Sequence, residues 1–354
     1  MDRILALDLG KNKTAARLHC TDGRADFSTM VTTAPQDLHD LIVSTDPTLV
    51  IIETSSLAWW VHDLAAALEK RVIVTANNGP GWRWKNVRNK SDRGDASKLI
   101  KMHLSGQLEP VHVPDHDVRQ WRGLIHQRHD LVGDRTRVRN RITGLFTVQG
   151  LQTPRDCSAW SRRWIDQIAE HARPLAACEP EELWRGRLRQ DLLLLAEVDR
   201  LIDEVEVILE QLAARREAVA LLRQEPGVGP RLAETLVAVI DDPLRFKTGK
   251  QVACYLGLTP RHWSSGDTAR SGHISKQGNS LLRTLLVEVS WLGLRRNQWM
   301  RETYEHVKRG MPARSKVAIV ALARRLLIRL WARWRDFERE RRSTLPMGTC
   351  TPAM

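Results

Sequence analysis

Along the first hundred positions, apolar residues fall in short runs that alternate between strand-like and helix-like spacing. "ILALDLGK" and "TAARLHC" read as two strands, and the "TDGR" turn leads into a third, "ADFSTMVT". "PQDLHDLIVS" follows as a helix, "TLVIIETSS" as a buried strand, "AWWVHDLAAALEKR" as a second helix and "VIVTAN" as another strand. The next stretch, "RNKSDRGDASKLI" at residues 88–100, opens a helix that Ser91 N-caps and that runs to about His103. Strand hairpins followed by strand–helix repeats predict an α/β domain.

From about residue 115 the period becomes helical throughout. Val118, Trp121, Leu124, Ile125, Leu131, Val132, Val138, Ile142 and Leu145 recur at helical spacing; Leu188, Leu192, Leu195, Val198, Ile202, Val205, Leu209 and Leu212 mark a long helix with heptad-like steps. Such helices pair either within one chain or between chains, and a coiled-coil arm used in self-association is expected. The stretch between them, around "PRDCSAWSRRW", reads as a helical connector. A third region begins at "EPGVGPRLAETLVAVI", where Gly227 and Gly229 interrupt two helical patterns in the manner of a helix-hairpin-helix. In that motif a glycine turn brings backbone N–H groups and a helix N-terminus to a phosphate; an ordinary helix–helix turn is the alternative. A polar loop, "TPRHWSSGDTARSGHISKQGN", a helix "SLLRTLLVEVSWLGLRR" and a strongly basic helix from Lys316 to Arg342 complete the chain. The expected organisation is an acidic α/β domain at 1–112, a helical region at 113–222, a mainly α C-terminal domain at 223–342 and a tail at 343–354.

Composition sharpens the functional reading. Of 354 residues 42% are hydrophobic and 27% charged, and 55 Lys and Arg against 42 Asp and Glu give a formal net charge of +13. A globular chain with this excess, spread in clusters such as "RWKNVRNK", is expected to meet a polyanion, most often nucleic acid. Thirteen Trp stand beside two Tyr and four Phe, and Trp82, Trp84, Trp121, Trp164, Trp184, Trp299, Trp331 and Trp334 lie near Arg or Lys. Stacking on bases is one use for them and core packing the other. The five cysteines are scattered without metal-ligand spacing, which argues for reduced thiols and against zinc. No apolar run is long enough to span a bilayer, and a cytoplasmic protein with no membrane partner is expected.

Four carboxylates carry the candidate chemistry. Asp8 ends one apolar strand and Glu53 another, positions where an ionised group is costly unless solvated, paired or metal-bound. Asp92 and Asp95, three apart, share a helix face, where they also suit the helix N-terminus. Collected in one site, the four would need compensating cations; Mg²⁺ prefers such oxygen ligands, and two ions roughly 3.5–4 Å apart would stabilise both oxygens of a phosphodiester displacement. Lys85, Arg88 and Lys90 would then face the nucleic-acid backbone. In the distal loop Ser264, Ser265, Ser271 and Ser275 sit among Arg261, Arg270 and Lys276, an arrangement in which cations favour attack by a hydroxyl on phosphorus. His126 and His129 read as phosphate contacts or surface residues. No Walker loop and no Gly-x-Ser-x-Gly elbow supports an ATPase or a serine-hydrolase reading.

Taken together, "LALDLGK", "IIETSS", "NKSDRGDASKL", the run from "PGVGPRLAETL" to "YLGLTPR", "SSG" and "GHISKQGNSLLRTLL" resemble the DEDD-type transposases of bacterial insertion sequences. The resemblance covers nearly the whole chain. It implies an RNase H-like (RuvC-like) N-terminal domain whose Asp8, Glu53, Asp92 and Asp95 bind Mg²⁺, and a nucleophilic serine before a glycine, which points to Ser265 with Ser264 next. It further implies attack on a DNA phosphate through a phosphoserine, direction by an element-encoded bridge RNA, and a dimer or tetramer that combines carboxylates and serine from different subunits. Glu53 departs from the pattern in being followed by Thr-Ser-Ser, and Gly94 weakens the helix that carries Asp92 and Asp95 by about 1 kcal/mol relative to Ala. Two rival readings remain at this stage: a RuvC-like nuclease that hydrolyses DNA without the serine, and a non-catalytic helix-hairpin-helix DNA-binding protein.

Overall fold

The computed structural model describes residues 2–21, 25–76, 92–265 and 268–344, and for residues 92, 93, 262–265 and 268–271 the backbone alone. The chain forms two compact units, Met1–Pro114 and Asp115–Met354.

In the first unit, β1 (Arg3–Leu9), β2 (Lys13–Cys20) and β3 (Phe27–Thr32) form an antiparallel meander. The chain then alternates α1 (Pro35–Thr45), β4 (Leu49–Glu53), α2 (Ala58–Ala67) and β5 (Arg71–Thr75), and α3 (Asp92–Leu104) follows. β4 pairs in parallel with β1 and with β5, giving the strand order β3-β2-β1-β4-β5. The continuous apolar runs in β1 and β4 arise because both faces of these strands are covered. Leu5, Leu7, Val50 and Ile52 pack with Leu38 and Ile42 of α1 and Val61 of α2. Ile4, Ala6, Leu49 and Ile51 pack with Ala96, Leu99 and Ile100 of α3. Every element boundary expected here falls within a few residues of its observed place. The Ser91 cap lies outside the described residues.

The second unit opens with α4 (His116–Val148), α5 (Arg162–Ala169) and α6 (Leu183–Ala214). α4 and α6 pair antiparallel within the chain, with ion pairs Arg128–Glu206 (2.6 Å), Arg135–Asp199 (3.4 Å) and Arg141–Asp191 (2.7 Å) marking successive rungs. The connector supplies α5, whose Trp164 and Ile168 close one end over Phe146 and Leu188. Next come α7 (Glu217–Arg223), α8 (Pro230–Ile240) and α9 (Gly249–Tyr255), then a hairpin of β6 (Pro260–Ser265) and β7 (Thr268–Ile274). α10 (Ser280–Gly293), α11 (Gln298–Lys308) and α12 (Ser315–Thr344) end the unit.

α12 is the expected strongly basic helix, and one of its faces is core. Leu322, Leu326, Leu327, Leu330, Trp331 and Trp334 are buried with α8 and α10 in the largest core, and Trp331 Nε1 donates to the Pro243 carbonyl at 2.9 Å. Its arginines occupy only the outer faces. Of the tryptophans suggested as base-stacking groups, Trp121, Trp164, Trp331 and Trp334 are core residues. Trp184 and Trp299 are half-buried under Arg185 and Arg329, and Trp82 and Trp84 lie outside the described residues.

Candidate catalytic site

Register brings the two strand-end acids together. β1 and β4 pair as far as Leu7 opposite Ile52, so the next step sets Asp8 beside Glu53 on neighbouring strands roughly 4.8 Å apart. Side chains alternate along a strand, so Asp8 shares the face of Ile4 and Ala6, and Glu53 that of Leu49 and Ile51. This is the face that α3 covers, and both acids are half-buried there.

α3 runs opposite to β1. Its last turn holds His103, which lines a hollow with Asp2, Ile4, Thr48 and Leu49 at the strand beginnings. Farther up, Arg17 of β2, paired with Ala6, donates from Nη1 to Ser97 Oγ at 2.9 Å. The eight residues back from His103 to Asp95 rise about 12 Å, and the four from Ile4 to Asp8 span about 13 Å. The first turn of α3 therefore stands level with Asp8 and Glu53. Asp95, Ala96 and Leu99 follow helical spacing, so Asp95 extends the apolar stripe that seats α3 on the sheet. Asp95 is half-buried; the side chain of Asp92 lies outside the described residues.

Arg17 also donates to Asp26 at 2.8 Å, holding that carboxyl below its ordinary value, and His19 joins the pair at 2.8 Å. These contacts tie α3 to the meander and are invisible to periodicity. Among the described residues no three His, Cys, Asp or Glu side chains gather into a metal-holding group. The residues nevertheless fit a hard divalent cation in kind: the donors at this end of the face are carboxylates, on adjoining backbone positions, without thiol or imidazole.

Ser265 ends β6. Its backbone pairs with Thr268, and Ser264 pairs with Ala269. The expected polar loop is thus largely a two-stranded hairpin. The missed signal was Gly266-Asp267 between β-capable runs, a pair suited to two-residue hairpin connections.

The base of this hairpin is a backbone clasp built from the "YLGLTPR" and "ISKQGN" runs. The carbonyl of Gly257 (φ +64°) accepts from Lys276 N–H at 3.1 Å, and that of Thr259 from Ser275 N–H at 2.9 Å. A Cβ on Gly278 (φ +72°) would lie 2.0 Å from the Tyr255 carbonyl oxygen. Arg283 completes the clasp: its Nη1 reaches the carbonyls of Gln277 at 2.5 Å, Leu256 at 3.1 Å and Gly278 at 3.2 Å. Burial pushes the Arg283 guanidinium below its usual range. Arg261, exposed, donates to the Ser275 carbonyl at 3.1 Å. Gly278→Ala combines an overlap with left-handed strain and is expected to cost about 3 kcal/mol or more. Thermal melting should register this as a loss of roughly 6 °C or more.

The Gly227–Gly229 turn joins α7 to α8. Gly227 has φ +93°, and Gly229 precedes Pro230, the first residue of α8. Glu225, 3% exposed, braces the turn through Arg329 at 3.2 Å and Arg333 at 3.1 Å, while Asn297 donates to the Pro226 carbonyl at 2.9 Å. Glu225 carried no signal in the sequence because its partners lie about a hundred residues away. Lys276 is exposed at the clasp, and His126 and His129 are exposed on α4. Arg270 lies on β7 opposite Trp263, its side chain outside the described residues, as are Lys85, Arg88 and Lys90 entirely.

A mixed sheet of this order with acids at its strand ends, followed by a helical region, is consistent with the RNase H-like class of DEDD transposases. Comparison with known proteins gives the family. Residues 5–148 match a DEDD transposase model of the IS110 type, and residues 219–305 match the transposase IS116/IS110/IS902 family. A putative transposase, y4rJ, of Sinorhizobium fredii is 30% identical over 305 residues, covering 80% of this chain and 76% of the relative. The transposase of insertion sequence element IS1111A from Coxiella burnetii is 28% identical over 256 residues, 69% of this chain and 66% of its own. That of IS1328 from Yersinia enterocolitica is 24% identical over 331 residues, 93% and 95% of the two chains. The chain belongs to the IS110 family of insertion-sequence transposases. As a transposase it acts on DNA, and its DEDD fold suggests dependence on a divalent metal.

Proposed function

We propose that this transposase cuts and rejoins DNA through a serine intermediate, with Asp8, Glu53, Asp92 and Asp95 as ligands for Mg²⁺, two ions in all. The observation that supports it most is the shared register: Asp8 beside Glu53 on one sheet face, with the acidic first turn of α3 at the same end. When bound, the metal would neutralise the carboxylates and polarise the phosphodiester. Ser265 Oγ attacks phosphorus and loses its proton, the P–O3′ bond breaks, and the 3′ oxygen leaves as a hydroxyl. A 3′ hydroxyl then attacks the phosphoserine, forming the new phosphodiester and returning Ser265. Bond energy is kept in the P–O–Ser link, so rejoining needs no nucleotide cofactor. Ser265, at the hairpin end, is preferred over Ser264.

An element-encoded guide RNA is the proposed second partner; the net charge of +13 suits more than one polyanion. Gly227, Gly229, Arg261, Arg270 and Lys276, with Lys85, Arg88 and Lys90, are the proposed nucleic-acid contacts. A dimer or tetramer is proposed because α6, beyond its buried stripe, exposes Leu193, Leu194, Val207 and Ile208. Among the described residues no helix is long and apolar enough to cross a membrane; action in the bacterial cytoplasm is part of the proposal. The test is incubation of the purified protein and its copurifying RNA with DNA carrying the element ends. Joined products that require Mg²⁺ and disappear in EDTA support the reading, whereas cut ends that never rejoin favour hydrolysis.

A further inference from the structure

Where α10 meets α11, the surface carries an aromatic group that the chemistry above does not use. Among tryptophans whose side chains are described, Trp291 is the only one in the exposed class, at 45%, and neighbouring Leu292 is 67% exposed. Its ring is held in place from beneath: the Tyr304 centroid lies 6.0 Å away at 57°, Tyr304 is itself 6% exposed, and Lys308 Nζ sits 5.4 Å from the Tyr304 ring. The corner beside it is also fixed. Arg301 donates from Nε to the Leu294 carbonyl at 3.1 Å, closing the end of α10, and Asn297 caps α11.

Cations outnumber acids around this ring. From Val289 to Arg301 the chain contains no Asp or Glu, while Arg295, Arg296 and Arg301 are all exposed. The acids nearest in sequence are Glu288, exposed one turn earlier, and Glu302 and Glu305, which already bind Gln298 at 2.7 Å and Lys308 at 3.4 Å. Trp and Arg also occur in protein interfaces, and it is the run of cations without interleaved acids that favours a polyanion here. A rigid indole bordered by guanidinium groups matches the way single-stranded nucleic acid is held, one base on an aromatic face and phosphates on cations.

We propose that Trp291 is a stacking platform for an unpaired nucleobase, with Arg295 and Arg296 on the adjoining phosphates. The inference rests on the reading of the protein as a nucleic-acid enzyme and adds that one of its strands is held unpaired at this corner. The probe is a single-stranded oligo(dT) containing one 2-aminopurine, with a duplex of the same length for comparison, mixed with the full-length protein. Stacking on the indole should quench the 2-aminopurine. Trp291→Ala should abolish the quench and weaken single-strand binding about tenfold, Trp291→Phe should keep most of both, and duplex binding should be unchanged. Arg295→Ala with Arg296→Ala should reduce the salt dependence of single-strand binding. Equal single-strand affinity and quench in Trp291→Ala would overturn the proposal. So would a change of sedimentation in that variant with nucleic-acid binding intact, which would make the patch a protein contact. Wild-type protein that binds the duplex alone overturns the inference and spares the transposase reading; binding of neither probe overturns both.

Discussion

Asp8→Asn is expected to leave the protein folded and bound to DNA while cutting falls by about a thousandfold or more. Asp8 and Glu53 stand side by side on adjacent strands. In EDTA the variant should melt close to the wild type. Adding Mg²⁺ should stabilise the wild type and do little for the variant. The isosteric amide keeps shape and packing, so lost cutting with preserved melting isolates charge and ligation from folding. Undiminished cutting by Asp8→Asn would remove this residue from the site.

Ser265→Ala should eliminate any protein–DNA adduct on a denaturing gel and lower strand exchange by roughly four orders of magnitude or more. Removing a nucleophile that forms a covalent intermediate leaves only positioning and charge stabilisation, neither of which conserves the bond. Ser264→Ala, one residue back on β6, should retain the adduct. If Ser264→Ala loses it and Ser265→Ala does not, the nucleophile shifts by one residue. If neither loses exchange, the reaction is not serine-based.

The N-terminal sheet was legible because its signals are local. "ILALDLG" and "LVIIE" are apolar on both strand faces, and the hairpin-then-alternation order admits few topologies. The same runs exposed Asp8 and Glu53 as misplaced charges. Their adjacency was not legible, since it depends on the register of β1 against β4 and on the direction of α3, set by contacts such as Arg17 to Ser97 across 80 residues. The long helices were visible as heptad-like stripes, but whether they paired within the chain was decided by charged rungs such as Arg128–Glu206. Which tryptophans pack in a core was not legible residue by residue, because proximity to arginine in sequence says nothing about burial. Trp331 and Trp334 lie in a helix rich in arginine and are core residues, while Trp291, beside leucines, faces outward. The serine hairpin passed for a loop because its strands are short and polar, and its footing consists of backbone contacts at Gly257 and Gly278 that leave almost no side-chain pattern.

The most direct measurement is an anomalous difference map from crystals of the protein with DNA and Mn²⁺ in place of Mg²⁺. The expected result is two peaks roughly 3.5–4 Å apart, bounded by the carboxylates of Asp8, Glu53, Asp92 and Asp95 and lying against a phosphate. Manganese bound elsewhere, with these four side chains holding none, would contradict the account.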